Sequence, residues 1–177
     1  SKIVERSNQA FHECAIHVNG EGKFGEPLKK FRSQLLSRSN LVNLESFNQL
    51  CIALEGYFDK QINVLEIGGG YGELARQTIK YSKFDIGSWH LVDLPQNLLI
   101  AEFYLGSILG KDSVGKTCFF KKKDFDMGEK HNVRVNFYNP SEVDDLTEKF
   151  DLVINTYSLQ EMGLDVVRAY LKQINSI

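Results

Sequence analysis

The chain has 177 residues, 42% hydrophobic and 25% charged, which at about 150 residues per domain means one domain with a small appendage. That composition excludes a disordered chain, a collagen-like repeat and a coiled coil. Lys and Arg number 21 against 23 Asp and Glu, a net charge of −2, so no basic field points to nucleic acid, and no apolar run approaches the about 20 residues of a membrane span.

In chain order, residues 1–60 read as a helical extension or lid, broken by glycines and a proline at Asn19–Pro27. Pro27 suits the first turn of a helix carrying Leu28, Phe31, Leu35 and Leu36. Asn40 or Asn43 suits the cap of a second helix, whose buried stripe is Leu44, Phe47, Leu50, Cys51, Leu54 and Phe58. The texture changes at Ile62. Ile62–Ile67 is a short β-branched run and predicts a buried strand. Gly68–Gly72 follows, then a helix over Glu73–Tyr81. Trp89–Asp93 predicts a second strand, and Pro95 opens a helix that Gly106 and Gly110 weaken at its end. Lys111–Arg134 is irregular. Val133–Tyr138 predicts a third strand, Asp144–Lys149 a short helix or turn, Phe150–Asn155 a fourth strand, and Val166–Ile174 a last helix.

Strands alternating with helices predict an α/β fold, a Rossmann-like parallel sheet with helices on both faces, spanning residues 61–177. Ligands of such sheets bind beyond the carboxyl ends of the strands. After the first strand, Gly68, Gly69, Gly70 and Gly72 let the backbone turn tightly and approach a ligand; a bare turn needs only one glycine. After the second comes Asp93, about 20 residues past the glycines, where an acid accepts ribose hydroxyls. A cap before Pro95 is the plainer alternative.

Two nucleoside cofactors fit this loop. A dinucleotide fingerprint is readable at Gly70, Gly72 and Ala75, which implies an NAD-dependent oxidoreductase. A competing ExGxGxG pattern runs through Glu66, Gly68, Gly70 and Gly72. An acid in the strand repels a phosphate and suits a cation, which favours S-adenosylmethionine over NAD.

Val64–Gly72 (VLEIGGGYG) and His90–Pro95 (HLVDLP) resemble the first two motifs of class I S-adenosylmethionine-dependent methyltransferases. With VDLPQNLLIAEFYL and INTYSLQEM, the chain more narrowly resembles a bacterial sugar O-methyltransferase family. The resemblance implies methyl transfer to a sugar hydroxyl. It implies a cofactor site of Glu66, Gly68, Gly70, Tyr71, Gly72, Asp93, Leu94, Asn139 and Asn155, with the glycines around the methionine part, Asp93 on the ribose and Asn139 near adenine. Many relatives place an acid after the third strand; this chain has Asn139-Pro140-Ser141.

In the loop after the fourth strand Glu161 is the one carboxylate, and it is the candidate base for a hydroxyl proton. Tyr157 and Gln160 are candidates to bind sugar hydroxyls. The acceptor expected is a sugar or nucleotide sugar, with no nucleic-acid or membrane partner. A module that holds the cofactor without turnover is a third reading.

Other features are weaker. His12, Cys14 and His17 are poorly placed on a helix to share a metal, so no metal site is expected. His90 reads as structural, and Lys121–Lys123 as a solvated charge run. Cys14, Cys51 and Cys118 form no CxxC, which argues for reduced thiols. The polar start lacks a secretory core, so a cytoplasmic protein is expected. Finally, the methyltransferase fold has seven strands ordered 3-2-1-4-5-7-6, and only 3-2-1-4 are found. The fourth reads as a central strand, which predicts a truncated sheet from a longer enzyme, or a homodimer covering the edge.

Overall fold

The computed structural model describes residues 29–31, 34–36, 38–56, 59–126, 128 and 131–175. The His12, Cys14, His17 cluster, the break at Asn19–Pro27, Leu28 and Phe58 lie outside the described residues. The chain divides into two compact units, one holding Glu73–Phe84 with the preceding N-terminal part, the other Lys60–Gly72 with Asp85 onward. The division expected at residue 60 therefore differs in one element, since Glu73–Phe84 groups with the first unit.

In the second unit, β3 (Ile62–Ile67), β4 (Ile86–Val92), β5 (Arg134–Tyr138) and β6 (Leu152–Ile154) form a parallel sheet. Its order is β5-β4-β3-β6, the predicted 3-2-1-4. Helices flank it, as in a Rossmann-like sheet. Parallel strands are covered on both faces and so read as continuous apolar runs; Ile62, Val64, Leu65 and Ile67 are all buried. Strand β4 begins at Ile86, before the expected Trp89, because Gly87 and Ser88 interrupt the apolar pattern; the ladder skips Gly87 in a bulge and resumes at Asn63↔Ser88. Strand β6 is shorter than Phe150–Asn155, since its register with β3 runs only from Val64↔Leu152 to Glu66↔Ile154.

Helix α3 (Pro95–Leu109) starts on Pro95, whose missing N–H is one that a helix start leaves unpaired anyway. It buries Leu98, Ala101, Leu105 and Leu109. Gly106 does not end the helix. A Cβ there would come 2.5 Å from the Phe125 ring, so the glycine makes room for packing. The irregular stretch after α3 is pinned by buried Glu102, which accepts the backbone N–H groups of Cys118 (2.8 Å) and Phe120 (2.7 Å). The turn expected at Asp144–Lys149 is a 3₁₀ turn over Pro140–Asp145. Helix α4 (Leu164–Ile174) buries Tyr170 in a cluster with Leu65, Ile67, Val92, Val143 and Leu146.

The first unit corrects the sequence reading. Phe31, Leu35 and Leu36 do not share a helix. Lys29–Phe31 (β1) and Gln34–Leu36 (β2) pair antiparallel, with Phe31 opposite Gln34. Short apolar runs fit helix and strand alike, and the close pairing partner decides. Helix α1 spans Arg38–Ala53, so Asn40 and Asn43 lie inside it and cap nothing. Asn40 instead donates to Glu73 Oε1 on α2 (Glu73–Tyr81) at 2.7 Å. Glu73 also receives a two-pronged bond from Arg76, both at 2.7 Å and both side chains fully buried, the strong form of carboxylate recognition.

Candidate functional site at the carboxyl edge of the sheet

Beyond the carboxyl ends of the strands lies a cavity of about 400 Å³, within the range of small-molecule sites. Its described lining includes Gly68, Gly70, Asp93, Leu94, Tyr157 and Glu161, which sequence reasoning had singled out. The two charged groups on it, Asp93 and Glu161, are both carboxylates. A positive ligand is favoured there and a phosphate is repelled.

The glycine loop continues β3 toward β4, with the Gly68 N–H donating to the Val92 carbonyl at 2.7 Å. Gly70 has φ +58° and open space where a Cβ would stand. A side chain there would be strained and would point into unfilled room, which is what close approach of a ligand to backbone requires. Gly69 and Gly72 serve packing instead. A Cβ on Gly69 would meet the Glu66 carboxyl at 2.8 Å, and one on Gly72 the Leu105 side chain at 2.6 Å.

Asp93 organises this loop from the β4 side. Its Oδ2 accepts the Gly70 N–H at 2.7 Å. Its Oδ1 accepts the Leu94 N–H at 2.7 Å and the Asn97 amide at 2.9 Å. Each oxygen has two lone pairs, so Oδ2 keeps one for a ligand hydroxyl while Oδ1 is filled. One lone pair thus remains for the ribose hydroxyls that the sequence reading assigned to Asp93. Asn97, which also lines the cavity, is a site residue that the sequence reading missed. The signal was its place one helical turn after Asp93, where it can reach back.

The loop after β6 forms the third wall. Ser158–Glu161 is a 3₁₀ turn, and Ser158, Glu161 and Met162 line the cavity. Tyr157 lines it and is 56% exposed, whereas exposed Gln160 does not line it. Asn155 turns inward. Its amide donates to the Ile67 carbonyl at 2.8 Å and to Ser158 Oγ, and its Oδ1 accepts the Leu159 N–H at 3.3 Å. Both ends of Asn155 are therefore engaged within the protein.

Glu66 is fully buried and accepts the Trp89 indole N–H at 2.9 Å. Burial pushes its carboxyl up to about 7, with the Trp89 bond opposing and Asp93 adding to the rise. The charge argument from this acid is corrected accordingly. Near neutral pH Glu66 is only partly ionised, and the carboxylates on the cavity wall carry that argument instead. Sequence shows the acid but not its burial.

The remaining candidates stand apart from the lining. Tyr71 packs edge-on to Tyr104, ring centroids 5.2 Å apart. Asn139 donates to Glu142 Oε2 at 3.2 Å, and its buried Oδ1 has no partner. Buried His90 meets Glu148 Oε2 at 2.8 Å. Lys121–Lys123 are exposed. Among the described residues no group of three or more His, Cys, Asp or Glu is placed to hold a metal, and no helix is long and apolar enough to cross a membrane.

A parallel sheet ordered β5-β4-β3-β6, with a glycine turn after one strand and an acid after the next, is of Rossmann-like architecture. No protein-family model and no curated protein matches the chain. Among solved structures it is similar to the YcgJ protein from Bacillus subtilis, with 17% identity over 73% of this chain and 44% of that one, TM-score 0.46. It is also similar to an arsenic(III) S-adenosylmethionine methyltransferase from Chlamydomonas reinhardtii, with 22% identity over 60% and 32% of the two chains, TM-score 0.38. A third is coclaurine N-methyltransferase bound to N-methylheliamine and SAH, with 13% identity over 87% and 41%, TM-score 0.39. The chain spans less than half the length of each of these proteins.

Proposed function

We propose that this chain carries the methyl-donor site of an S-adenosylmethionine-dependent methyltransferase, and that the acceptor is a sugar hydroxyl. The observation that carries the reading is the carboxyl-edge cavity, walled by Asp93 and Glu161 and floored by the open, left-handed Gly70. A cationic nucleoside suits such a wall, whereas a dinucleotide would place its pyrophosphate beside two acids. The residues fit the group. Gly70 leaves room for it, and the remaining lone pair of Asp93 Oδ2 takes a ribose hydroxyl. When bound, the cofactor supplies an electrophilic methyl group.

This chain's residues do the rest. Asp93 holds the glycine loop closed from one side through the Gly70 N–H. Glu161, exposed on the turn after β6, accepts the hydroxyl proton as the acceptor oxygen becomes a nucleophile. The sugar rests on the resemblance of the INTYSLQEM stretch, with Tyr157 at the mouth to bind it.

The test is transfer of radiolabelled methyl from S-adenosylmethionine to a panel of neutral glycosides and nucleotide sugars. Label should enter the sugar, and Glu161→Gln should lower the rate by about 10²–10⁴-fold, far more than it lowers S-adenosylhomocysteine affinity. Labelling that Glu161→Gln leaves intact would remove the base from the account. Labelling of a nitrogen or sulfur acceptor in place of any sugar would remove the sugar.

A further inference from the structure

The glycine loop is gripped from two sides, and Asp93 explains only one. On the other side stands Ser158. Gly68 has φ +75°, and a Cβ built there would lie 2.0 Å from Ser158 Oγ and 2.1 Å from Ser158 Cβ. Neither atom can be moved aside as the tip of a long side chain could. The space that any other residue at position 68 would need is the space that the Ser158 side chain fills.

Hydrogen bonds fix the serine there. The ladder between β3 and β6 ends at Glu66↔Ile154. Beyond it the Ile67 carbonyl, last in β3, accepts Ser158 Oγ at 3.1 Å and the Asn155 amide at 2.8 Å. Asn155 also donates to Ser158 Oγ. Two side chains from the loop after β6 thus continue the strand pairing where backbone leaves off. Ser158 also opens the 3₁₀ turn that ends at Glu161. At three residues per turn, positions i and i+3 lie on one side, and both Ser158 and Glu161 line the cavity.

We propose that Ser158 is a positioning residue that sets the glycine loop against the turn carrying Glu161. The inference rests on the methyl-donor reading of this cavity. Seating the cofactor on the glycine loop and placing the base then become one mechanical event, because the same serine touches the first and begins the turn that holds the second.

The test is a double-mutant cycle read by calorimetric titration with S-adenosylhomocysteine. Binding by the parent chain is measured first, and its absence would overturn the donor-site reading, and this inference with it. With binding in hand, Gly68→Ala should weaken affinity by at least about 50-fold and Ser158→Gly, which removes the loop's stop, by about 5-fold. The double variant should return to within about 5-fold of Ser158→Gly, because the alanine then has room. Its thermal midpoint should stay as low as that of Gly68→Ala, since the left-handed backbone remains strained. A merely structural serine would not separate affinity from stability in this way. A double variant that binds no better than Gly68→Ala would overturn the proposal. If Gly68→Ala does not fold by circular dichroism, Ser158→Val probes the same contact from the other side. Its folded protein should lose S-adenosylhomocysteine affinity, and unchanged affinity would overturn the proposal.

Discussion

At the amino ends of the strands lies a cavity of about 720 Å³, lined by Asn63, Ser88, Arg134, Asn136 and Glu148 among others. The cavity at the carboxyl ends is smaller, about 400 Å³. In the larger one several polar groups answer one another. Ser88 Oγ donates to Asn63 Oδ1 at 2.8 Å, His90 Nε2 meets Ser88 Oγ at 3.0 Å and Glu148 at 2.8 Å, and Asn136 Oδ1 accepts the Lys116 N–H at 2.8 Å. Its glycine, Gly87, has no left-handed backbone and would meet Gln61 if given a Cβ. In the smaller cavity Gly70 is left-handed and faces open space, and Asp93 keeps a lone pair unused. What separates the two cavities is not volume but backbone shaped for close approach, at Gly70.

The sharpest break of this comparison is Gly70→Val. A branched side chain at φ +58° is strained and fills the ligand's room, so S-adenosylhomocysteine affinity should fall at least about 100-fold, or about 3 kcal/mol, by calorimetry. Next is the acid beneath the loop. The folded carboxyl of Glu66 lies at about 7, against an ordinary value of 4.5. The folded state therefore holds a proton that the unfolded state has released between those values. Stability should decline as pH rises from 4.5 to about 7 and then level off, by up to about 3 kcal/mol. Glu66→Gln keeps an acceptor for Trp89 and should flatten that slope in urea titrations from pH 4 to 8.

Smaller again is Asp93→Ala, which removes one charge-assisted ligand bond of about 1.5–3 kcal/mol and frees the Gly70 N–H. Affinity for S-adenosylhomocysteine should fall about 10- to 100-fold, and a change of less than about twofold would deny Asp93 the ribose. The smallest effect belongs to the amino edge. Ser88→Ala should leave that affinity unchanged, while costing about 1 kcal/mol of stability from the Asn63 bond, seen as a lower denaturation midpoint.

How much of this the residues announce depends on how local each feature is. Ile62–Ile67 and Glu73–Tyr81 are found where the sequence places them, because a β-branched run stops at glycines and a helix starts after them. The sheet order follows from alternation and handedness. The hairpin of β1 and β2 was misread because Phe31, Leu35 and Leu36 satisfy a helical spacing as well. Ser158 was invisible for a different reason. Its partner Ile67 is 91 residues away, and nothing near Ser158 says which backbone it will meet. Glu66 was read correctly as an acid at the end of β3, yet its charge state depends on burial beneath Gly69 and on Trp89, which only the folded chain sets.

The central claim is that the carboxyl-edge cavity receives a phosphate-free nucleoside rather than a dinucleotide. Parallel calorimetric titrations of the chain with S-adenosylhomocysteine and with NAD test it most directly. The account predicts saturable, Asp93-dependent binding of S-adenosylhomocysteine and no heat from NAD; binding of NAD alone would contradict it.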